Sequence, residues 1–198
     1  MTESSVPKIA GLLLAAGGST RLGGPKQLVE FEGKSLIRRA AEALIGAGCS
    51  PVVAVLGAEI AGSQRELAGL DIEIIINDSW ESGMGTSIAC GMRSVLAFEP
   101  VADAVLVSLC DQALVTAERL RPFIENFAGS GADVIAAHYN DVAGVPALFS
   151  ARAFPELAAL TGEKGARELI RSTADAITIP LPEAAVDVDT AADLNRLT

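Results

Sequence analysis

The sequence is poor in the residues that most often carry catalysis or crosslinks. Its 198 residues include one His, one Trp, one Tyr and three Cys. The cysteines are odd in number, are scattered along the chain and form no CxxC pair, so the sequence predicts neither a disulfide framework nor a cysteine-based zinc site. We expect Cys49, Cys90 and Cys110 to be buried free thiols, as in a reducing compartment. For the single histidine, His138, we expect a structural role.

Long apolar runs and excess positive charge are also missing. No apolar run approaches ~18 residues, and the N-terminal MTESSVPK lacks the basic and apolar regions of a signal peptide, so we expect a soluble, cytoplasmic protein. The formal net charge is −10. Because an acidic surface disfavours nonspecific binding to nucleic acids and to anionic membranes, we expect neither as a partner. An anionic ligand would need local cations, backbone N–H groups or a metal ion.

Short apolar runs alternate with amphipathic segments along the chain. The runs are continuous in Val, Ile and Leu, which is typical of parallel strands buried on both faces. Their alternation with helical patterns predicts an α/β fold: a three-layer, doubly wound, mostly parallel sheet of the Rossmann-like kind. One domain over residues 1–198, with 1–7 as a flexible tail, is the simplest division. Strands are predicted at 8–15, 51–57, 72–77, 103–110, 132–139, 145–149 and 176–180. Helices are predicted at 36–47, 59–68, 86–98, 116–128, 151–160 and 163–172, with a final helix from Ala191.

A glycine-rich loop follows the first predicted strand. The stretch LLLAAGGSTRLGGPKQL, residues 12–28, holds two glycine pairs with Arg21 and Lys26 among them. Backbone N–H groups and cations in this arrangement suit a polyphosphate. The loop is not a GxGxxG dinucleotide fingerprint, because Ser19 occupies the third position after Gly17. It is not a GxxxxGK[ST] P-loop either, because Leu28 stands where the first glycine would be.

Six motifs in order resemble one known family. LAAGGSTRLGGPKQ resembles the LAAGxSxRMGxxK signature of the MobA-like NTP transferases, which include the molybdenum cofactor guanylyl- and cytidylyltransferases. Five later segments resemble that family's GMxxSLxxG, GDQPLVT, GxPxLF, GDKGARxLL and IDIDTPEDL motifs. They are GMGTSIACGM (83–92), LCDQALVT (109–116), GVPALFS (144–150), GEKGARELI (162–170) and VDVDTAADL (186–194). The last two, with LAAG in place of LAGG, are similar to the cytidylyltransferase branch, which prefers CTP over GTP.

The chain departs from this pattern at a few positions. Cys110 replaces a Gly, Ala113 replaces a Pro and Leu22 replaces a Met. Glu163 stands where the family has Asp, and Val145 stands where this branch often has His. The last two positions lie where the acceptor would bind, so the resemblance specifies the chemistry better than it specifies the acceptor.

The resemblance implies nucleotidyl transfer: CMP passes from CTP to the phosphate of a pterin acceptor, molybdopterin, and pyrophosphate leaves. Both substrates are anions, so Mg²⁺ (or Mn²⁺) together with cationic side chains would offset their repulsion. The resemblance implies Arg21, Lys26 and Asp111 as catalytic residues. A molybdoenzyme or its maturation factor would receive the product.

Three acidic residues are candidate metal ligands. Asp111 follows the fourth predicted strand, and ligands of open α/β sheets gather at such strand ends. It could instead cap the next helix. In the extended VDVDT segment, Asp187 and Asp189 point to the same side, so either could reach a metal shared with Asp111. Asp189 is slightly favoured, although with Thr190 it could instead start the last helix.

The remaining candidates are expected to bind the two substrates. Ser87 could contact the base, or it could serve only the first turn of its helix. Lys164 and Arg167 could grip the acceptor, or they could be solvated charges on an amphipathic helix. Trp80 and Tyr139 could line the cleft. The candidate nucleotide-binding residues are Leu14, Ala15, Ala16, Gly17, Gly18, Arg21, Lys26, Gly83, Ser87 and Asp111. The candidate acceptor-binding residues are Gly144, Pro146, Lys164, Gly165 and Arg167.

Two other functions stay open. PKQ after the glycine loop also resembles the cytidylyltransferase of 2-C-methyl-D-erythritol 4-phosphate, although LCDQA does not resemble that family's motif and GEKGAR has no counterpart there. A non-catalytic module that carries or inserts the cofactor is the other hypothesis. Binding alone would not require Arg21, Lys26, Asp111 and Asp189 together, which argues against such a module.

Overall fold

A seven-stranded mixed sheet forms the centre of the computed structural model, which describes residues 6–18, 24–188 and 193. The strands are β1 (Ile9–Ala15), β2 (Glu30–Phe31), β3 (Lys34–Ser35), β4 (Val52–Leu56), β5 (Glu73–Ile76), β6 (Ala104–Leu109), β7 (Val134–Tyr139), β8 (Val142–Ser150) and β9 (Ile177–Pro180). The α-helices are α1 (Leu36–Ala47), α2 (Ile60–Leu67), α3 (Met84–Val95), α4 (Ala117–Ser130), α5 (Phe154–Ala158) and α6 (Ala166–Ser172). Short 3₁₀ helices cover Lys26–Leu28, Trp80–Ser82, Ala151–Ala153 and Pro182–Ala185.

The order of strands in the main sheet is β5-β4-β1-β6-β8-β7-β9. Every neighbouring pair is parallel except the two that include β8. β8 is reversed because it follows β7 through a tight hairpin whose two turn residues, Asn140 and Asp141, have φ of 47° and 58°. Asn and Asp tolerate this left-handed conformation better than other residues with side chains. The predicted mostly parallel, doubly wound sheet is confirmed.

Helices cover both faces of the sheet, which confirms the three layers. α1, α2 and α4 pack on one face and α3, α5 and α6 pack on the other, each over its own hydrophobic core. The alternation of side chains along β1 shows how the strand serves both faces, because Leu13 enters the first core while Leu12 and Leu14 enter the second. Such a strand has no polar face, and its sequence is therefore continuously apolar.

Several element boundaries differ from the sequence predictions. The helix predicted from 163 begins at Ala166, because residues 162–165 pack instead against the first turn of α3. The helix predicted at 151–160 is a 3₁₀ turn followed by the short α5. The strand predicted at 145–149 is longer, and the antiparallel pair β2–β3 was not predicted. Ser35 ends this pair and caps α1 by accepting a hydrogen bond from the Arg38 N–H.

Some predictions fall outside the described residues. Residues 1–5 of the expected tail lie there, and so does the helix expected from Ala191, of which only the helical Asp193 is described. Among the described helices, none is long and apolar enough to cross a membrane. The cysteines are free, and Cys49 and Cys110 are buried. The expected burial of Cys90 is wrong, because this residue of α3 is only partly buried beside the edge strand β5.

The packing of α3 on the sheet can be tested with two Gly→Ala substitutions. They should change the free energy of unfolding in opposite directions. A Cβ at Gly91 would lie 2.7 Å from Cγ2 of Val55 and closer still to Leu12. Gly91→Ala should therefore reduce the free energy of unfolding by about 1–2 kcal/mol, since overpacking outweighs the gain in helix propensity. A Cβ at Gly129 of α4 would meet nothing within 4 Å. Gly129→Ala should raise the free energy of unfolding by about 0.5–1 kcal/mol.

Urea denaturation of both variants measures these changes. If Gly91→Ala were as stable as the parent protein, α3 would not pack on the sheet as closely as described.

Candidate functional site

Lys26 and Asp111 form the charged centre of the candidate site. Asp111 follows the carboxyl end of β6, and Lys26 begins the 3₁₀ helix after the glycine loop. The Nζ of Lys26 donates to Oδ2 of Asp111 at 2.5 Å, with the two side chains 20% and 13% exposed. Oδ1 of Asp111 is buried and has no hydrogen-bond partner among the described residues. The contact therefore ties the loop to the end of β6 and leaves one carboxylate oxygen with unused lone pairs.

A cavity of about 250 Å³, here called the loop cavity, opens beside this ion pair. It brings together most of the predicted nucleotide-binding residues, and Trp80 lines it as well. Arg21 lies outside the described residues, and Gly18 and Gly83 do not line the cavity. The predicted residues that line it are Leu14, Ala15, Ala16, Gly17, Lys26, Ser87 and Asp111. The other lining residues are Trp80, Met84, Leu109, Cys110 and Glu163.

Gly18 and Gly83 allow close approaches around the cavity. A Cβ at Gly18 would lie 2.9 Å from Cη2 of Trp80. Gly83 has φ 110°, and a Cβ there would collide with the backbone of Gly162. The N–H of Gly85 donates to the carbonyl of Gly162 at 2.9 Å. Only residues without a side chain permit this packing, so the start of α3 and residues 162–165 form one wall.

A second cavity of about 400 Å³, here called the helix cavity, adjoins the first and shares Met84, Leu109 and Glu163 with it. Of the predicted acceptor-binding residues, Lys164, Gly165 and Arg167 line it. Gly144 and Pro146 lie in β8 and do not line it. The other lining residues are Gln112, Tyr139, Val145, Ala166, Glu168, Arg171 and Asp187.

Tyr139 occupies the polar part of the helix cavity. Its hydroxyl donates to the carbonyl of Val145 at 3.0 Å. Burial raises the pKa of Tyr139, the charge of Asp187 raises it further, and Arg167 opposes both effects. The phenol is therefore protonated at neutral pH, and the cavity contains a neutral hydroxyl that is influenced by both a carboxylate and a guanidinium.

The segment that contains Asp187 is fixed beside the end of β6. The N–H of Val188 donates to the carbonyl of Asp111 at 3.0 Å. Asp187 lines the helix cavity and not the loop cavity. Asp189 lies outside the described residues. Within the part of the chain that the structure describes, no group of three or more His, Cys, Asp or Glu side chains could hold a metal ion.

Three other candidates have simple environments. Cys110 is a wall residue of the loop cavity whose pKa is raised by burial and by the charge of Asp111, so it stays a neutral thiol. Ser87 lies in the first turn of α3 and also lines the loop cavity, where its Oγ accepts from Nδ2 of Asn77 at 3.0 Å. The position in the first turn of the helix is confirmed, and the contact with a base stays a prediction. His138 is exposed on β7.

Two buried glutamines were missed by the sequence analysis. Gln27 is 1% exposed, and its Nε2 donates to the carbonyls of Ala15 at 3.0 Å and Gly17 at 2.5 Å. Gln112 is 3% exposed, and its Nε2 donates to two carbonyls, those of Val145 at 3.0 Å and residue 184 at 2.9 Å. Each glutamine directly follows a charged residue of the site. That adjacency was the available signal, and it says nothing about which carbonyls the amide reaches.

Comparisons with known proteins identify the family of this chain. The family model described as the MobA-like NTP transferase domain matches residues 11–177. A nicotine blue oxidoreductase of Paenarthrobacter nicotinovorans is 33% identical over the whole of both chains.

Solved structures of one mycobacterial protein are also similar. Rv0371c from Mycobacterium tuberculosis H37Rv is 28% identical with a TM-score of 0.83, over 98% of each chain. Its complex with manganese is 26% identical with a TM-score of 0.77, over 96% of this chain and 97% of that chain. With most of its length matched by the family model, the chain belongs to the MobA-like NTP transferase family and is a nucleotidyltransferase.

Proposed function

We propose that this nucleotidyltransferase transfers CMP from CTP to the phosphate of molybdopterin and releases pyrophosphate. The observation that carries the proposal is the pair of adjoining cavities. The loop cavity has Lys26 and Asp111 at its edge, the helix cavity has Lys164 and Arg167, and the two share a wall. A nucleotide in the first and a phosphorylated acceptor in the second would meet at that wall. The proposal also includes one domain for the whole chain and a cytoplasmic location.

The chemistry is a displacement at phosphorus. An oxygen of the acceptor phosphate forms a bond to the α-phosphorus of CTP, the bond from that phosphorus to the bridging oxygen breaks, and the electron pair leaves with pyrophosphate. The acceptor phosphate is ionised at neutral pH, so no general base is required. Lys26, with Arg21 as a further cation of the loop, would stabilise the negative charge that develops on the leaving group.

The residues present fit a divalent metal ion. Mg²⁺ commonly takes one or two protein carboxylates together with substrate phosphates, and Asp111 offers a buried oxygen without a described partner. The manganese complex of Rv0371c supports such an ion. Asp111 would hold Mg²⁺ or Mn²⁺, and Asp187 or Asp189 would be the second ligand. When bound, the ion would neutralise phosphate charge and polarise the α-phosphoryl group.

CTP is the proposed nucleotide because the loop cavity, at about 250 Å³, is the smaller of the two, and Ala15, Ala16 and Gly17 let the backbone approach a bound base. Trp80 lines the same cavity. A pyrimidine edge needs few hydrogen bonds in a slot of this kind, and the LAAG motif resembles the branch that prefers CTP.

The name of the Paenarthrobacter relative suggests a second candidate, an oxidoreductase activity, because that match extends over all of both chains. The described residues give this activity less support. Cys110 is the only thiol that lines either cavity among them, and burial raises its pKa. A redox reaction would therefore depend on a bound electron donor.

Substrate assignment is tested by measuring pyrophosphate release with Mg²⁺ and each nucleoside triphosphate in turn, with molybdopterin or methylerythritol phosphate as acceptor. We expect release only with CTP and molybdopterin. Turnover with methylerythritol phosphate would instead support the isoprenoid-pathway enzyme, and binding without turnover would support a cofactor-carrying module. In a separate assay with an added electron donor, reduction of a coloured acceptor without pyrophosphate release would favour the oxidoreductase.

The role of Asp111 is tested by a pair of carboxylates at opposite ends of β6. Asp111→Asn should lower turnover at least about a hundredfold, because it weakens the binding of the divalent ion that would neutralise the reacting phosphates. Asp103 precedes the same strand, is exposed and accepts a hydrogen bond from the N–H of Lys8. Asp103→Asn should stay within about twofold of the parent rate, as an exposed change far from the cavities.

Both rates come from the same pyrophosphate assay, and Mn²⁺ binding followed by electron paramagnetic resonance checks the metal separately. Asp111→Asn that kept both turnover and Mn²⁺ affinity would remove the metal assignment.

The helix cavity is tested through Arg167. Arg167→Met should raise the KM for the acceptor about tenfold, because a charge-assisted contact to the acceptor phosphate is lost. The KM for CTP should remain unchanged. Arg121 on α4 is a matched control, since its Nη2 bonds the carbonyl of Gly46 on the outer surface. If Arg167→Met raised the KM for CTP and spared that for the acceptor, the assignment of the two cavities would be reversed.

A further inference from the structure

The carbonyl oxygens at the start of the glycine loop are all held by protein donors. The side-chain amide of Gln27 reaches the carbonyls of Ala15 and Gly17. The carbonyl of Ala16, between them, accepts from the N–H of Ala58 at 3.0 Å. All three residues of the loop line the loop cavity. Three successive carbonyl oxygens beside the expected phosphate position are therefore each bonded to an N–H group of the protein.

Pairing the carbonyls also fixes the N–H groups. In a planar trans peptide the C=O of one residue and the N–H of the next point in opposite directions. Holding the carbonyls of residues 15–17 therefore sets the directions of the N–H groups of Ala16, Gly17 and Gly18. Within the described residues, no backbone carbonyl accepts from the N–H of Gly17 or Gly18. These groups remain available to an anion.

Packing alone does not hold this conformation at Gly17. A Cβ built on Gly17 would meet nothing within 4 Å. Glycine in open space has many accessible backbone conformations, and some of them would turn a carbonyl towards the phosphates. Gln27 is almost fully buried, and its amide nitrogen donates to the carbonyls of Ala15 and Gly17, one on each side of Ala16. Among the described residues, the side chain of Gln27 restrains the backbone of residues 15–17 by hydrogen bonds.

We propose that Gln27 is the positioning residue for the polyphosphate of the nucleotide. It touches no substrate itself; it holds the loop so that N–H groups, and not carbonyl oxygens, face the phosphates. The inference rests on the proposed function in one respect, that the loop cavity holds the nucleotide. Because the effect acts on phosphates, it is independent of the base.

The test compares two glutamines with the same bonding pattern. Gln27→Met keeps the side-chain length and removes the amide. Gln112→Met removes an equivalent amide, which donates to the carbonyls of Val145 and Ala184. Trp80 is the only tryptophan of the chain and lines the loop cavity, so its fluorescence reports on this cavity alone. The probes are Mg²⁺ with CTP, with GTP and with inorganic pyrophosphate.

We expect Gln27→Met to raise the Kd of each triphosphate and of pyrophosphate about tenfold, the loss of roughly one or two hydrogen bonds to the ligand. Gln112→Met should leave these values within about twofold, although both variants should lose similar stability in urea, because each removes the donor to two carbonyls. In turnover, Gln27→Met should raise the KM for the nucleotide and leave the KM for the acceptor unchanged.

Parent-like affinities in Gln27→Met, or equal losses in both variants, would overturn the positioning role. So would a parent protein that binds none of the three probes. If the triphosphates bind and Gln27→Met weakens them while no CMP transfer to molybdopterin occurs, the proposed substrates fail and the role of Gln27 stands. If transfer occurs and Gln27→Met retains full affinity for the nucleotide, the proposed substrates stand and the role of Gln27 fails.

Discussion

The ion pair between Lys26 and Asp111 is the contact on which the candidate site depends. It joins the loop after β1 to the end of β6, and these strands are parallel neighbours whose carboxyl ends meet at one edge. A largely buried carboxylate requires a compensating cation, and this lysine supplies it while remaining at the cavity wall. The hydrogen bond from Val188 to the backbone of Asp111 brings the C-terminal segment to the same point.

Close backbone packing builds the second half of the site. Gly83 and Gly85 allow the first turn of α3 to contact residues 162–165, which are separated from them by almost 80 residues in the sequence. This contact creates the wall that the two cavities share. Since Met84 and Glu163 belong to the segments in contact, any change in this packing alters both cavities together. The arrangement suits a reaction between two bound molecules better than separate binding of each.

Much of the fold could be predicted because continuous apolar strands and amphipathic helices have different periods. The reversal of β8 was signalled locally by Asn140 and Asp141, but the predicted strand began too late for the hairpin to be recognised. In the site, Asp111 could be singled out because strand ends in such sheets collect ligands. The placement of Asp187 in the helix cavity could not be predicted. Alternation along an extended segment shows that Asp187 and Asp189 share a side, but it does not show which cavity that side faces.

By itself, the sequence determined the α/β class, the glycine loop with its cations and the carboxylate after the fourth buried strand, because these features are local patterns of polarity and backbone freedom. Only the tertiary structure decided which groups meet. It paired Lys26 with Asp111 across 85 residues, set Gln27 against the start of the loop and placed Arg167 in the cavity that adjoins the loop cavity. Such contacts depend on strand order and on the approach of distant backbone segments. The spacing of residues along the chain predicts neither.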